Sequence, residues 1–190
     1  MASVDAAVGM IEFTSIGIGM ELQDTMLKAA DVRLLVGRTI CSGKYIAVVG
    51  GKVAAVQASV RAGLDAAPDG VIDHLMIPNI HPDVFRALGD MVQLETHRES
   101  EVPSIGIIET FSAASALEAA DASAKAADVK LFRLQIAMAM GGKGLVMMAG
   151  SVADCRSAVD AGASLVKDKG LLVSSVVIPR PSRELFADRL

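Results

Sequence analysis

The chain contains few side chains whose types and spacing could support catalysis or metal binding. Its two cysteines, Cys41 and Cys155, lack the CxxC spacing of a zinc site, and the histidines lack HxxxH or HExxH spacing. We therefore assign no ligand role to His74, His81 or His97. One cysteine in a loop cannot by itself hold a metal that needs four ligands, so a single chain is predicted to have no complete metal site.

Two glutamates occupy corresponding places, Glu12 in Gly-Met-Ile-Glu and Glu109 in Gly-Ile-Ile-Glu. A residue that recurs in both halves of a duplicated chain is expected to serve the architecture, so we interpret both as carboxylates that bond to backbone or face a neighbouring group. The sequence also lacks a complete GxGxxG motif or phosphate-binding loop, which argues against a nucleotide cofactor. We predict that the protein is not an enzyme.

Two Gly-Lys loops remain as candidate sites. The first is Thr39-Ile40-Cys41-Ser42-Gly43-Lys44, and the second is Met138-Ala139-Met140-Gly141-Gly142-Lys143. Only the first has a cysteine, and the simplest interpretation is a half-buried thiol in a tight loop. If that loop lay on the rotation axis of a cyclic oligomer, each subunit would contribute one thiolate and the thiolates would converge.

These loops lie at matching points of an internal repeat. Residues 8–12 and 29–32 recur 97 positions later, at 105–109 and 126–129, whereas Gly43-Lys44 recurs 99 positions later. The change in spacing places a two-residue insertion before the second Gly-Lys loop. A charged stretch separates the copies, so we predict a first domain over 1–89, a linker over 90–103 and a second domain over 104–190.

Each copy has the same predicted order of elements. In the first copy, apolar and β-branched runs predict strands at 8–13, 32–37, 45–49 and 71–77, the middle two forming a hairpin. Helical spacing predicts helices at 22–30, capped at Thr14 or Ser15, at 53–67 and at 82–88. The order β-α-β-β-α-β plus a helix is that of a ferredoxin-like domain. The predicted fold is therefore α/β (α+β), with two such domains in tandem.

The charge and the hydrophobic content of the chain limit the classes of partner that it is expected to bind. The 18 Lys and Arg residues against 22 Asp and Glu residues give a net charge of −4, without the basic footprint of nucleic-acid binding or a polybasic membrane patch. We expect no nucleic acid, no membrane and a cytoplasmic location. A chain with 52% hydrophobic residues but no Trp is expected to cover apolar surface with other subunits.

Both copies resemble the bacterial microcompartment shell domain, the BMC domain. The resemblance rests on the two Glu-ending strands, the helix ends Lys28-Ala29-Ala30 and Lys125-Ala126-Ala127, the Gly-Lys loops, and Ile178-Pro179-Arg180-Pro181. It implies that six domains form a flat hexagon, so that three tandem chains form a pseudo-hexameric homotrimer. Such a trimer would tile edge to edge with hexameric shell proteins.

The resemblance also implies roles for particular residues. Lys28, Lys125 and Arg180 would lie at the tile edge, whereas the first copy has Asn79 where the second has Arg180. The pore loops would converge on the axis through Thr39, Ile40 and Lys44 of the first copy and Met140, Gly141, Gly142 and Lys143 of the second.

In tandem tiles of this kind, the loop cysteines of three chains would bind one [4Fe–4S] cluster. Cys41 would be the metal ligand, with Ser42 and Gly43 beside the cluster, and Cys155 would not contribute. The cluster would transfer electrons across the shell, to or from a lumenal or cytosolic redox enzyme. Two alternatives stay open: an empty central pore for a metabolite, or a ferredoxin-like regulator that senses a ligand between its domains.

Overall fold

The computed structural model describes residues 7–89, 103–137, 140–182 and 185. The first copy contains β1 (Ala7–Phe13), α1 (Ile16–Ala29), β2 (Arg33–Ile40), β3 (Lys44–Gly51), α2 (Val53–Ala66), β4 (Val71–Pro78) and α3 (Pro82–Gly89). The second contains β5 (Ser104–Thr110), α4 (Ala113–Ala126), β6 (Lys130–Ile136), β7 (Gly144–Gly150), α5 (Val152–Asp168) and β8 (Leu172–Ile178). The predicted tandem α/β fold is confirmed.

Each copy builds one four-stranded antiparallel sheet. The strand orders are β2-β3-β1-β4 and β6-β7-β5-β8, so the first strand of each copy is central in its sheet. Side chains alternate between the two faces of a strand, and Ala7, Ile11 and Phe13 of β1 lie in one apolar core with Met26 of α1 and Val56 of α2. The helices therefore cover one face of the sheet.

The first helix is longer than its sequence pattern predicts. The prediction starts at Leu22, but α1 begins at Ile16 after Ser15, whose side chain makes no capping hydrogen bond. Gly17 and Gly19 weaken the helical pattern, because glycine has a low helix propensity. A methyl group on Gly19 would lie only 2.5 Å from Tyr45 Cβ, so this turn of α1 needs glycine for close packing on β3.

The chain divides into two compact units. One comprises the residues up to Ile80 together with 137–142, and the other comprises 81–136 together with the residues from Lys143 onward. The helix α3 is grouped with the second unit because it packs against β6 and α4. The predicted linker lies, except for Pro103, outside the described residues, and its boundaries stay a prediction. Among the described helices, none combines the length and apolar character needed to cross a membrane.

Candidate functional site

The Cys41 loop is the tip of the β2–β3 hairpin. Ile40 pairs with Lys44 as the last rung of the hairpin, and Cys41, Ser42 and Gly43 form a single 3₁₀ turn between them. Ser42 and Gly43 both have left-handed backbones, with φ of 66° and 72°. Gly43 adopts this conformation without strain because glycine has no Cβ. Together with Ser42 it reverses the chain within a three-residue turn. The predicted hairpin loop is confirmed, and Cys41 is its first residue.

The tip is accessible. Ser42 and Gly43 are exposed and Cys41 is half-buried, while Ile40 behind them is buried. A methyl group placed on Gly43 would meet no heavy atom within 4 Å among the residues described. Another chain or a ligand can therefore approach the tip of the hairpin.

The corresponding loop of the second copy is longer and has no thiol. Ile136 pairs with Gly144 as Thr39 pairs with Tyr45 in the first copy. Between these equivalent pairs the first copy has five residues, 40–44, and the second has seven, 137–143, in agreement with the two-residue insertion. Gly141 and Gly142 again have left-handed backbones, with φ of 63° and 89°. Met140 and Lys143 are half-buried, whereas Met138 and Ala139 lie outside the described residues.

Each Gly-Lys lysine forms an ion pair with the repeated glutamate of its own copy. Lys44 Nζ lies 2.9 Å from Glu12 Oε1, and Lys143 Nζ lies 2.8 Å from Glu109 Oε1. Glu12 is on β1 and Lys44 begins β3, so the first pair joins the central strand of the sheet to the base of the hairpin tip. An architectural role is predicted for both glutamates from the repeat, and the structure adds their lysine partners. The signal was available, because glutamate and lysine recur together in both copies.

The two ion pairs have different surroundings. The Glu12 side chain is only 6% exposed, whereas that of Glu109 is 28% exposed and also accepts a hydrogen bond from Ser174 Oγ at 3.3 Å. The hydrogen bond from Lys143 lowers the pKa of the Glu109 carboxyl. Both lysines are thus drawn back toward the sheet, and the positive charge beside each loop is partly neutralised.

The second cysteine is placed as predicted. Cys155 lies on α5, is fully buried and donates a hydrogen bond from Sγ to Ser104 O at 3.3 Å. Burial raises the pKa of the Cys155 thiol, which favours the protonated form and makes it a poor metal ligand.

A metal site within one chain finds no support. Within the described ranges, no group of three or more His, Cys, Asp or Glu side chains could hold a metal ion. The hairpin tip offers one half-buried thiol, that of Cys41, and a single thiol fits one share of a thiolate-bound cluster. Within the described part of one chain, Cys41 therefore belongs to no group of three or more such side chains.

The histidines are dispersed. His74 lies exposed on β4 and His81 precedes α3, where its Nδ1 accepts a hydrogen bond from Asp83 N at 3.3 Å. His97 lies outside the described residues. The structure therefore brings neither described histidine into the Cys41 loop.

The two predicted edge lysines end their helices in different environments. Lys28, in the last turn of α1, is paired with Asp24 at 2.5 Å, and both side chains are well exposed. Lys125, in the last turn of α4, is paired with Asp121 at 2.6 Å, but the Asp121 side chain is only 11% exposed. A basic residue at a helix C-terminus also interacts favourably with the helix dipole.

Arg180 follows β8 in an exposed turn. Its φ is 48°, and its counterpart Asn79 after β4 has φ of 53°. Asparagine tolerates the left-handed region well, whereas arginine is uncommon there. The side chain of Arg180 therefore occupies a position that backbone preference alone would not select, and its role at a tile edge stays a prediction.

Comparison with known proteins identifies a matching family. The BMC domain matches residues 7–80 and 104–181, which are the two copies of the repeat. The microcompartment shell protein PduT of Citrobacter freundii is 41% identical over 180 residues, covering 95% of each chain. The predicted resemblance is confirmed.

Solved structures agree with the sequence comparison. A microcompartment protein from Desulfitobacterium hafniense superposes with a TM-score of 0.88 and 44% identity, covering 95% of this chain and 98% of that one. The fused permuted hexameric shell protein of the RMM microcompartment superposes with a TM-score of 0.60 and 25% identity, covering 85% of this chain and 81% of that one.

Proposed function

The chain belongs to the BMC-domain family of microcompartment shell proteins, and we propose that three copies of it form one pseudo-hexameric tile of such a shell. The observation that carries this proposal is the pair of matching domains, each with its own four-stranded sheet in the same order. Six domains are needed for a hexagon, and three tandem chains supply six. As part of a microcompartment, the tile would lie within the bacterial cytoplasm.

The outer edge of the tile is assigned to Lys28, Lys125 and Arg180. Lys28 and Lys125 are the basic residues in the last turns of α1 and α4, and Arg180 is exposed in the turn after β8. Contact with hexameric shell proteins through these groups would use charge and hydrogen bonding at the rim. This function is structural, which agrees with the absence of a catalytic motif in the sequence.

The centre of the tile is assigned to the hairpin tips. With three copies around an axis, three Cys41 thiolates would converge and bind one [4Fe–4S] cluster, which would supply one-electron transfer across the shell. Three thiolates satisfy three of four irons, so water or a group from a redox partner is needed for the fourth. Backbone N–H groups of Ser42 and Gly43 would face the negative charge of the thiolates.

A metabolite pore is the second candidate for the centre. The loops of the second copy carry Met140, Gly141 and Gly142, and these described residues offer no thiolate or carboxylate. The three second-copy loops of a trimer would therefore line an opening without binding iron. The tile itself is common to both candidates.

Reconstitution tests the cluster. Anaerobic reconstitution of wild type and Cys155→Ser is expected to give about four irons and four sulfides per three chains, with visible absorbance, whereas Cys41→Ser binds none. Cys155→Ser is a matched control because it removes the only other thiol while Ser retains a hydroxyl donor toward Ser104. A wild type that binds no iron would favour the open pore, and loss of absorbance in Cys155→Ser alone would contradict the assignment to Cys41.

A further inference from the structure

The final helix of the first copy packs against the second unit. α3 lies against β6 and α4, with Val84 fully buried and Ala87 only 4% exposed. The backbone N–H of His81, just before α3, donates a hydrogen bond to Asp121 Oδ1 on α4 at 2.7 Å. This helix therefore leaves its own copy and completes the surface of the next one along the chain.

The corresponding surface of the first unit is exposed. Leu34 on β2 is 37% exposed, whereas its counterpart Leu131 on β6 is 1% exposed. The Asp24 side chain on α1 is 60% exposed, whereas that of its counterpart Asp121 is 11% exposed. The first unit thus presents to solvent a surface whose equivalent in the second unit receives α3.

The sequence after β8 resembles the sequence that forms α3 after β4. Residues 182–190 follow β8 as 81–89 follow β4, and Glu184-Leu185-Phe186 corresponds to Asp83-Val84-Phe85. Leu185 N donates to Ser182 O at 3.1 Å, just as Val84 N donates to His81 O at 3.0 Å. The left-handed residue two positions before this bond's acceptor is also shared, as Arg180 and Asn79. The same turn therefore starts both segments.

We propose that residues 182–190 of one chain dock on α1 and β2 of a second copy of this chain, in the way that α3 docks on α4 and β6. Ser182 N–H would then face Asp24 of the second copy, as His81 N–H faces Asp121. The chain turns after β4 so that α3 packs on the unit that follows it in the sequence. The same turn after β8 would direct residues 182–190 away from their own unit in the same way. Neither of the two units of this chain follows them in the sequence, so the unit that receives them is the first unit of another copy.

The inference rests on the proposed trimer, because a ring lets every chain donate one segment and receive one. Each contact is heterologous, and three such contacts close the ring if the rotation between copies is one third of a turn. Leu185 and the apolar residue after it would bury against the exposed Leu34 surface. The C-terminal segment is thereby assigned to holding the tile together and not to its outer contacts.

Cross-linking tests the docking directly. In a Cys41→Ser, Cys155→Ser background, Asp24→Cys with Ser182→Cys is treated with a short bifunctional maleimide, beside the matched pair His81→Cys with Asp121→Cys. The first pair is expected to yield covalent dimers and trimers on denaturing gels, and the matched pair is expected to yield only internally linked monomers. Internally linked monomers from the first pair, or no product from it while the matched pair reacts, would overturn the proposal.

The strength of the trimer supplies a second readout. Leu185→Asp is expected to weaken association about tenfold or more, measured by sedimentation over a dilution series, whereas Leu185→Met leaves it nearly unchanged. A trimeric wild type whose association is insensitive to Leu185→Asp would refute the docking but leave the tile proposal intact. A wild type that stays monomeric at micromolar concentration would refute both.

Discussion

In the first copy Ser59 on α2 donates a hydrogen bond to Met26 O on α1, whereas in the second copy the donor is on the other helix. There Ser123 on α4 donates to Ala158 O on α5, and both bonds measure 2.9 Å. Ser123 corresponds to Met26 and Ala158 to Ser59, so the two residues have exchanged roles. The bridge between the helices is retained although neither position retains its residue.

A second exchange concerns volume. Gly19 on α1 leaves room for Tyr45 on β3, while in the second copy the helix has Ala116 and the strand has Gly144. A methyl group on Gly144 would lie 2.4 Å from Ala116 Cβ. The two side chains of such a pair therefore fit each other in both copies, although the residue at each single position changes. Two differences have no such compensation. We assign the Cys41 loop to the tile centre, and we assign the exposed surface around Leu34 and Asp24 to contact with a partner chain.

The largest expected effect comes from breaking the volume exchange. Gly144→Ala is expected to destabilise the protein by about 3 kcal/mol, because a tightly packed site cannot accept a methyl group without backbone shifts. Adding Ala116→Gly should recover part of this loss, because the new methyl group would still lie 2.8 Å from Thr110 Oγ1 and 3.1 Å from Ser112 O. Denaturant unfolding at one fixed protein concentration measures both variants.

Ala116→Gly alone is the control for that experiment. It should cost only about 1 kcal/mol, the difference in helix propensity between the two residues. If Gly144→Ala costs the same free energy of unfolding in wild type and in the Ala116→Gly background, the two positions are not coupled. The pairwise view of packing would then be wrong.

The next effect distinguishes the two ion pairs. Lys44→Met leaves Glu12 as a buried carboxylate without its lysine and should cost about 1–3 kcal/mol. Lys143→Met should cost about 1 kcal/mol or less, because Glu109 is more exposed and still accepts a hydrogen bond from Ser174. The same unfolding assay ranks them, and a larger cost for Lys143→Met would contradict the difference in burial.

The pH dependence should follow the lowered pKa of Glu109. A carboxyl with a lowered folded-state pKa stabilises the protein above its unfolded pKa, and this contribution is lost as pH falls through the folded pKa. Wild type is therefore expected to lose more stability than Glu109→Gln below about pH 4.3. Parallel stability curves for the two proteins between pH 6 and the acid limit, roughly pH 3, would contradict the assignment.

The smallest effects on stability are expected at the tile edge. Lys28→Ala should change the free energy of unfolding by less than about 1 kcal/mol, since its ion pair is exposed in the single chain. Lys125→Ala should cost about as much in the trimer, where docking of residues 182–190 would cover Asp24 as α3 covers Asp121. Both variants, and Arg180→Ala, are expected to keep the trimer but impair the formation of sheets seen by electron microscopy. Loss of the trimer in any of them would move that residue from the edge to an interface between chains.

Much of this structure could be predicted from the sequence, because the repeat, the strand alternation and the helical spacing are local patterns. The position of Cys41 at a hairpin tip follows from two β-branched runs around Gly43. The pairing of Lys44 with Glu12 depends on strand register across the sheet, which local patterns do not encode, so the joint recurrence of the two residue types in both copies was its sequence signal. The packing of α3 on the second unit was missed for the same reason: its sequence predicts a helix but not the surface that receives it.

The mass of the assembled protein tests the central claim most directly. Light scattering on the eluting peak of purified wild type should give three times the 19.7 kDa chain mass at micromolar concentration. The value should persist on dilution in the range where an obligate interface remains formed. A mass of one or two chains would contradict the trimeric tile, and with it the convergence of Cys41 on a common axis.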